Sequence, residues 1–540
     1  MGENPTYDER VKRQVRRKAL SRAVRLVTKR RDAAAVVAAD HVRRARKAKL
    51  TSDSSYDREA VLELPRDTVR NWERFRRKSI GRREASDIIV AYLAGPRPTN
   101  DLREFIRLGV RPENIWAFEN KATLAEDGEE DLRRLEALGI KFVQAGIEDF
   151  LATTPRRFDI IYVDACASVL NECRMVATVF RHSALQPLGV LITNFSKPEE
   201  NNEADLARHA WVIASYLFPK RFWTKPNGSI VEGPAAYDYV LAPGDLLPDQ
   251  DDNPGPEQKV FVDAVRRRFH HYYGEFITRN VMDIASVIAP MARLVGSPLW
   301  KHLAKGNDTK PAIDRGKAML AWGPDNRPLC GEAIGSSDTT SLLWAFAACG
   351  AYGALDEASA WPAEHQKFFK GWMERLRGMP QGNPDAAGLV AAYHGLRIDR
   401  SLQSDTLRRV TDYKYAQMAF LCDVPNAELG FYPAIAQIAH PMHCNVREAR
   451  RFRYTAKTNE MFLDVLPFDE CRYVYDWLSA PALMTADWSD EPRQLAYRFA
   501  LDGIAKAAHT YQSDILHGCN VIGIDKDFPA EELPRRRKVT

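Results

Sequence analysis

The stretch between residues 86 and 195 constrains the fold most, because short apolar runs alternate there with amphipathic ones. Ser86-Asp-Ile-Ile-Val-Ala-Tyr-Leu-Ala-Gly95 is apolar and closes on glycine, the pattern of a buried parallel strand. Pro96-Arg-Pro-Thr-Asn100 cannot extend it. Thr99 or Asn100 can cap a helix over Asp101–Leu108 that stops at Gly109. The unit then recurs. Asn114–Glu119 is a second strand, 122–138 a charged amphipathic helix ending at Gly139, and Ile140–Ala145 a third strand. Phe158–Asp164 and Gly189–Phe195 read as the fourth and fifth. Such alternation predicts an α/β fold with a parallel sheet and right-handed crossovers.

Ligands of such sheets bind beyond the carboxyl ends of the strands, where the strand order switches. Those ends carry Gly95, Glu119, Gly146-Ile-Glu148-Asp149, Asp164 and Asn194. An acid closing the second strand suits a ribose, because a carboxylate can accept bonds from both hydroxyls. In order and spacing, residues 86–242 resemble the class I S-adenosylmethionine-dependent methyltransferases, a Rossmann-like family. The resemblance implies S-adenosylmethionine as cofactor, with Gly95 in the first loop and Glu119 on the ribose. It places Glu148 or Asp149 near the adenine and Asp164, the candidate catalytic residue, at the methyl group. The family's first loop usually carries several glycines, whereas Leu93-Ala-Gly-Pro-Arg-Pro-Thr-Asn100 has one glycine and two prolines. A non-catalytic scaffold in a nucleic-acid-associated complex, of phage or defence type, is therefore the alternative reading.

Charge separates the first sixth of the chain from the rest. Residues 1–84 hold 25 Lys+Arg against 12 Asp+Glu, a net of +13, and the remainder carries a net of −8. No glycine or proline interrupts residues 6–50, which favours basic helices. Lys12, Arg13, Arg16, Arg17, Lys18, Lys29, Arg30, Arg31, Arg43, Arg44, Arg46 and Lys47 are the candidate contacts to nucleic-acid phosphates. The alternative is a solvated arm. A second basic cluster, Arg74–Lys78 with Arg82 and Arg83, includes Trp72 and Phe75 nearby, read as packing residues.

Three domains are expected: a basic helical arm over 1–84, the Rossmann-like sheet over 85–245, and a mostly α-helical (α+β) region over 257–540. The stretch 246–256, rich in acid, proline and glycine, reads as a linker, and 306–335 as a further division. After the fifth strand a helix over 204–218 is expected. Strands around 220–224 and 237–241, joined through the turn Asn227-Gly228, are expected to complete the sheet. Tyr454–Asp476 could supply further strands, and the C-terminal region a protein partner. Arg447–Arg453 reads as the charged face of a helix, and Arg535–Lys538 as a solvated tail.

Several chemistries are disfavoured. Val163-Asp-Ala-Cys-Ala-Ser168 is similar to the Asp-Ala-Pro-Cys-Ser motif of cytosine-C5 methyltransferases. It lacks the proline, and the attacking cysteine expected after the next strand is replaced by Thr193-Asn-Phe-Ser196. No Asn/Asp-Pro-Pro-Tyr/Phe motif of amino methylation occurs, and the chain offers no assignable Lys-Asp-Lys-Glu set for ribose methylation. Absence of Gly-x-Gly-x-x-Gly argues against a nicotinamide-dependent oxidoreductase. His440-Pro-Met-His443-Cys444 falls short of the four ligands of a zinc site, so no metal is expected. Eight cysteines without a Cys-x-x-Cys pair, no secretory signal and no long apolar run predict a cytoplasmic protein without a membrane span.

Overall fold

Strand β5 (Leu185–Ser196) is buried along most of its length, so its backbone and both its faces need partners. It finds them in β4 (Phe158–Asp164), parallel on one side, and in a long antiparallel strand, Asn459–Asp469, on the other. The computed structural model describes residues 9–51, 55–135, 139–165, 167–198, 203–217, 222–224, 230–232, 256–290, 440–456, 458–477 and 533–540, together with 496, 497, 499 and 500. Beyond β4 the sheet continues with β1 (Val90–Leu93), β2 (Ile115–Phe118) and β3 (Lys141–Val143), all parallel. The order β3-β2-β1-β4-β5 reverses between β1 and β4, which is an α/β arrangement compatible with a Rossmann-like fold.

The helices expected from the alternation are present. They are α6 (Thr99–Arg107), α7 (Ala122–Arg134), α8 (Ile147–Thr153), α9 (Val169–Arg181) and α10 (Glu203–Leu217). The first strand is shorter than its apolar run, because 85–87 form a 3-10 turn before it. Gly109 and Gly139 end their units at φ +92°, the left-handed region that glycine enters cheaply. Gly128 sits inside α7 for a different reason. A Cβ there would lie 3.0 Å from the Phe142 ring and 3.3 Å from the Gly95 carbonyl oxygen, so its absence lets α7 close on the first loop.

Among the described residues, the segment after α10 does not complete the sheet. Strands β6 (Phe222–Thr224) and β7 (Ile230–Glu232) pair with each other in a separate two-stranded sheet, and β7 lies earlier in the chain than the return strand expected at 237–241. The main sheet instead gains β10 (Asn459–Asp469), β9 (Arg450–Ala456), β8 (His443–Cys444) and β11 (Arg537–Lys538). Phe462, Val465, Leu466 and Phe468 of β10 are almost fully buried, and burying them beside β5 is what a short local hairpin could not match. Two further expectations change with this. Arg450–Arg453 belongs to a strand rather than to a helix, and Arg537-Lys538 is an edge strand parallel to β9 rather than a solvated tail. The expected strand at 237–241, the division at 306–335 and much of the mostly helical region expected over 257–540 lie outside the described residues.

Helices Pro256–Arg267 and Phe269–Asp283 follow the expected linker, and the second packs in the same core as β5 and β10. Thr278 Oγ1 donates to Asp464 Oδ2 at 2.6 Å, and Arg536 pairs with the same carboxylate at 2.5 Å. Residues on both sides of that linker thus share one sheet and one hydrophobic cluster.

The opposite face of the sheet is covered by α1 (Arg10–Val27). Val15, Ala19, Leu20, Ala23, Val24 and Val27 form its apolar stripe at helical spacing, and all are buried. The basic segment is therefore a docked layer and not a detached arm. Short helices α2 (Arg31–Ala34), α3 (His41–Leu50), α4 (Ser55–Glu63) and α5 (Arg66–Ile80) continue it. This layer is tied to distant chain. Arg31 Nε donates to Ile80 O at 2.7 Å, Val36 N to Asp469 Oδ2 at 3.0 Å, and Asn445 Nδ2 to Ala35 O at 2.8 Å. Trp72 is fully buried and donates to Tyr473 O at 3.0 Å, so it packs as expected. No described helix is long and apolar enough to cross a membrane.

Because Leu20 is fully buried on the inner face of α1, Leu20→Ala should lower unfolding stability by about 2–5 kcal/mol in chemical denaturation. Removing residues 1–50 should cost far more and yield protein without cooperative unfolding, whereas a detached arm would leave the transition unchanged.

Candidate functional site at the carboxyl edge of the sheet

The loops after β1, β2, β3 and β4 close around a cavity of about 350 Å³. Gly95, Glu119, Glu148 and Asp164, which come from four separate loops, all line it. Asp149 does not. It lies exposed on the first turn of α8, so the structure selects Glu148 of that pair. Helix α1 adds Lys12 and Arg16 to the wall, and α6 and α9 add Asp101 and Glu172.

The first loop is held by hydrogen bonds where the sequence lacks glycines. Tyr92 Oη donates to Pro98 O at 2.8 Å, and Thr99 donates to Asp131 Oδ2 from its backbone N–H (3.1 Å) and its hydroxyl (2.6 Å). Asp131 sits on α7, which Gly128 brings close. Gly95 itself has φ +58°, and no heavy atom lies within 4 Å of where its Cβ would be. The loop therefore turns on its one glycine and leaves open space beside it. Glu119 is oriented in turn: its Oε1 accepts the Lys121 backbone N–H at 2.9 Å, leaving Oε2 for a ligand hydroxyl.

The far wall is electrostatically organised. Lys12 Nζ lies 3.1 Å from Asp164 Oδ2, with both side chains nearly buried. Asn194 Nδ2 donates to Asp164 Oδ1 at 2.7 Å and also to Tyr454 Oη at 2.8 Å. Burial raises the cost of charging Asp164, but Lys12, the Asn194 amide and Arg16 outweigh it and hold the carboxyl below its usual range. Asp101 goes the other way: burial pushes its carboxyl up despite Arg16 Nε at 2.8 Å. Burial likewise raises Glu148, with Arg174 opposing, and Glu172, with Glu148 adding to the rise. The cavity thus presents carboxyls shifted in opposite directions: Asp164 lowered by its partners at one end, and Asp101, Glu148 and Glu172 raised by burial around it.

The twelve basic candidates divide by position. Lys12, Arg16 and Arg31 are turned inward, as described. Arg30 meets Glu448 at 3.0 Å, Arg17 meets Glu104 at 3.1 Å, Arg43 meets Glu73 at 2.6 Å, and Arg44 meets Asp40 at 3.1 Å. Arg13, Lys18, Lys29 and Lys47 are exposed, and Arg46 half-buried. What the sequence reading missed is the pairing of Lys12 with Asp164. The signal was present in the apolar stripe of α1, which requires the helix to dock and so turns some of its cations inward.

The remaining sequence motifs have structural places. His443 is buried with its Nε2 2.7 Å from Tyr475 Oη, and His440 Nδ1 contacts Arg472 at 2.8 Å. No cluster able to hold a metal ion occurs among the described residues. Cys166 lies outside them. Comparison of the chain with protein-family models and with curated proteins finds no match.

A carboxyl depressed in the folded state stabilises the fold above its unfolded pKa, and that contribution is lost as pH falls through the folded value. Asp164→Asn, which strands Lys12 in a nearly buried site, should cost about 3 kcal/mol at pH 7. The difference from wild type should shrink below about pH 4 in denaturant titrations at stepped pH.

Proposed function

We propose that this chain is an S-adenosylmethionine-dependent methyltransferase acting on nucleic acid. One observation carries the reading. Four loops far apart in sequence bring Gly95, Glu119, Glu148 and Asp164 onto one cavity at the switch in strand order. This is the set, in the order, that the family resemblance implies. The donor set fits the cofactor: an oriented carboxylate for a ribose diol at Glu119, a half-buried acid at Glu148, and an anion at Asp164 beside which a cationic sulfonium is favoured. The cofactor supplies an electrophilic methyl group.

The chain's own residues do the rest. Asn194 fixes the Asp164 carboxylate, and α1 brings Lys12 and Arg16 to the wall of the site. Lys12 stands where it can orient an incoming nucleophile. The alternative of a non-catalytic scaffold draws on the same ion pair, because Lys12 neutralises the one acid at the transfer end.

Calorimetric titration with S-adenosylmethionine and S-adenosylhomocysteine tests the reading. Wild type should bind both, and Glu119→Ala should weaken binding by roughly tenfold to a hundredfold with the fold intact, the effect of losing charged hydrogen bonds of about 1.5–3 kcal/mol. No heat at millimolar cofactor would remove the enzymatic reading and leave the scaffold.

A further inference from the structure

The basic helix α1 spends much of its charge inside the protein, yet the chain carries three other basic segments that the cavity does not use. They are Arg266-Arg-Arg-Phe-His-His271, Arg450-Arg-Phe-Arg453 and Arg535-Arg-Arg-Lys538. The fold collects them at one place. Lys538 is the register partner of Arg453 on neighbouring strands, so both side chains share a face of the sheet. Arg451 and Arg536 point to that same face but are consumed there, by Glu275 at 2.9 Å and by Asp464. Arg453 and Lys538 lie further along, toward the start of the helix Phe269–Asp283. There His270 feels both Arg453 and Lys197: burial first, then the Arg453 cation, lowers its pKa against the pull of Glu460. Arg268 caps that helix, is exposed, and lies over the Tyr272 ring at 5.5 Å.

The location links this surface to the cavity. Glu460 begins β10 beside the end of β5, so the β9–β10 turn lies on the carboxyl edge of the parallel strands. Lys197 follows Asn194, the residue that holds Asp164, by three positions, on the order of 10 Å along an extended chain.

We propose that a nucleic-acid backbone docks on this edge, its phosphates held by Arg268, His270, Arg453 and Lys538. The inference deepens the reading above by naming the surface that carries the acceptor strand to Asp164. Cations on three segments, Arg268, Arg453 and Lys538, against the one acid Glu460 that pairs with Arg453 at 3.1 Å, suit a polyanion with regularly spaced charges. The exposed Lys18 and Lys29 of α1 are then secondary contacts.

The test uses the full chain and a fluorescent single-stranded RNA of mixed sequence, read by anisotropy from 50 to 300 mM salt. The triple variant Arg268→Gln, Arg453→Gln and Lys538→Gln should flatten the slope of log affinity against log salt by about 2, since each lost phosphate contact contributes roughly 0.7 on a single strand. Affinity near 0.1 M salt should then fall by roughly a hundredfold. A second variant, Lys18→Gln with Lys29→Gln, should change the slope by less than half as much. Circular dichroism and S-adenosylmethionine titration of each variant separate this inference from the cofactor reading, because neither variant touches the cavity. Lys538→Glu alone, at an exposed position, gives a second reading should the triple variant misfold, and it should weaken RNA binding. Unchanged affinity and slope in the triple variant, or in Lys538→Glu where the triple variant misfolds, overturns the proposal. So does equal displacement of the RNA by polyglutamate, which would assign the surface to an acidic protein. If wild type binds cofactor yet no RNA, the docking surface fails while the cofactor reading stands.

Discussion

The antiparallel ladder between β5 and β10 is the contact on which the rest depends. It runs unbroken from Met461 opposite Ser196 to Asp469 opposite Leu188. About 260 residues separate the two strands in the chain, so the loop-closure entropy is large and only extensive burial can offset it. Leu191, Ile192, Phe195, Phe462, Val465 and Leu466 provide that burial, each almost fully out of solvent. With β10 in place, β9 and β11 can follow, Tyr454 reaches Asn194, and Asn194 fixes Asp164. The polar end of the candidate site thus depends on a strand drawn from the last sixth of the chain.

The N-terminal layer depends on the same ladder. Val36 donates to Asp469 and Val37 to Tyr473, immediately beyond β10, and Arg22 reaches Glu448 just before β9. These ties seat α1 across the sheet, and seating α1 places Lys12 on Asp164. Charge that composition alone assigns to solvent or to nucleic acid is partly used to neutralise two nearly buried acids, Asp101 and Asp164. An unpaired buried acid is costly, so the two cations are needed where they are.

The first loop shows how a missing motif can be replaced. Glycines in such a loop allow close backbone approach; here one glycine at φ +58° provides the turn, while Tyr92 pins Pro98 and Asp131 pins Thr99. Gly128, on the helix facing the loop, supplies the closeness that further loop glycines would supply elsewhere. That substitution was invisible as a loop pattern, because the glycine sits some thirty residues downstream.

By itself the sequence determined the parallel half of the sheet. Apolar runs ending in glycine or acid placed β1 to β5 within a few residues, and with them Gly95, Glu119, Glu148 and Asp164, because strand period and helix punctuation are local properties. A strand near 220–224 was legible for the same reason, though its partner is β7 at Ile230–Glu232. Only the tertiary structure decided which strands complete the sheet, that Glu148 and not Asp149 lines the cavity, and which cations of α1 turn inward. It also brought Arg268, His270, Arg453 and Lys538 together. Those outcomes follow from competition between segments hundreds of residues apart, settled by how much apolar surface each pairing buries and which buried charges it leaves with partners, and neither quantity can be read from a local pattern.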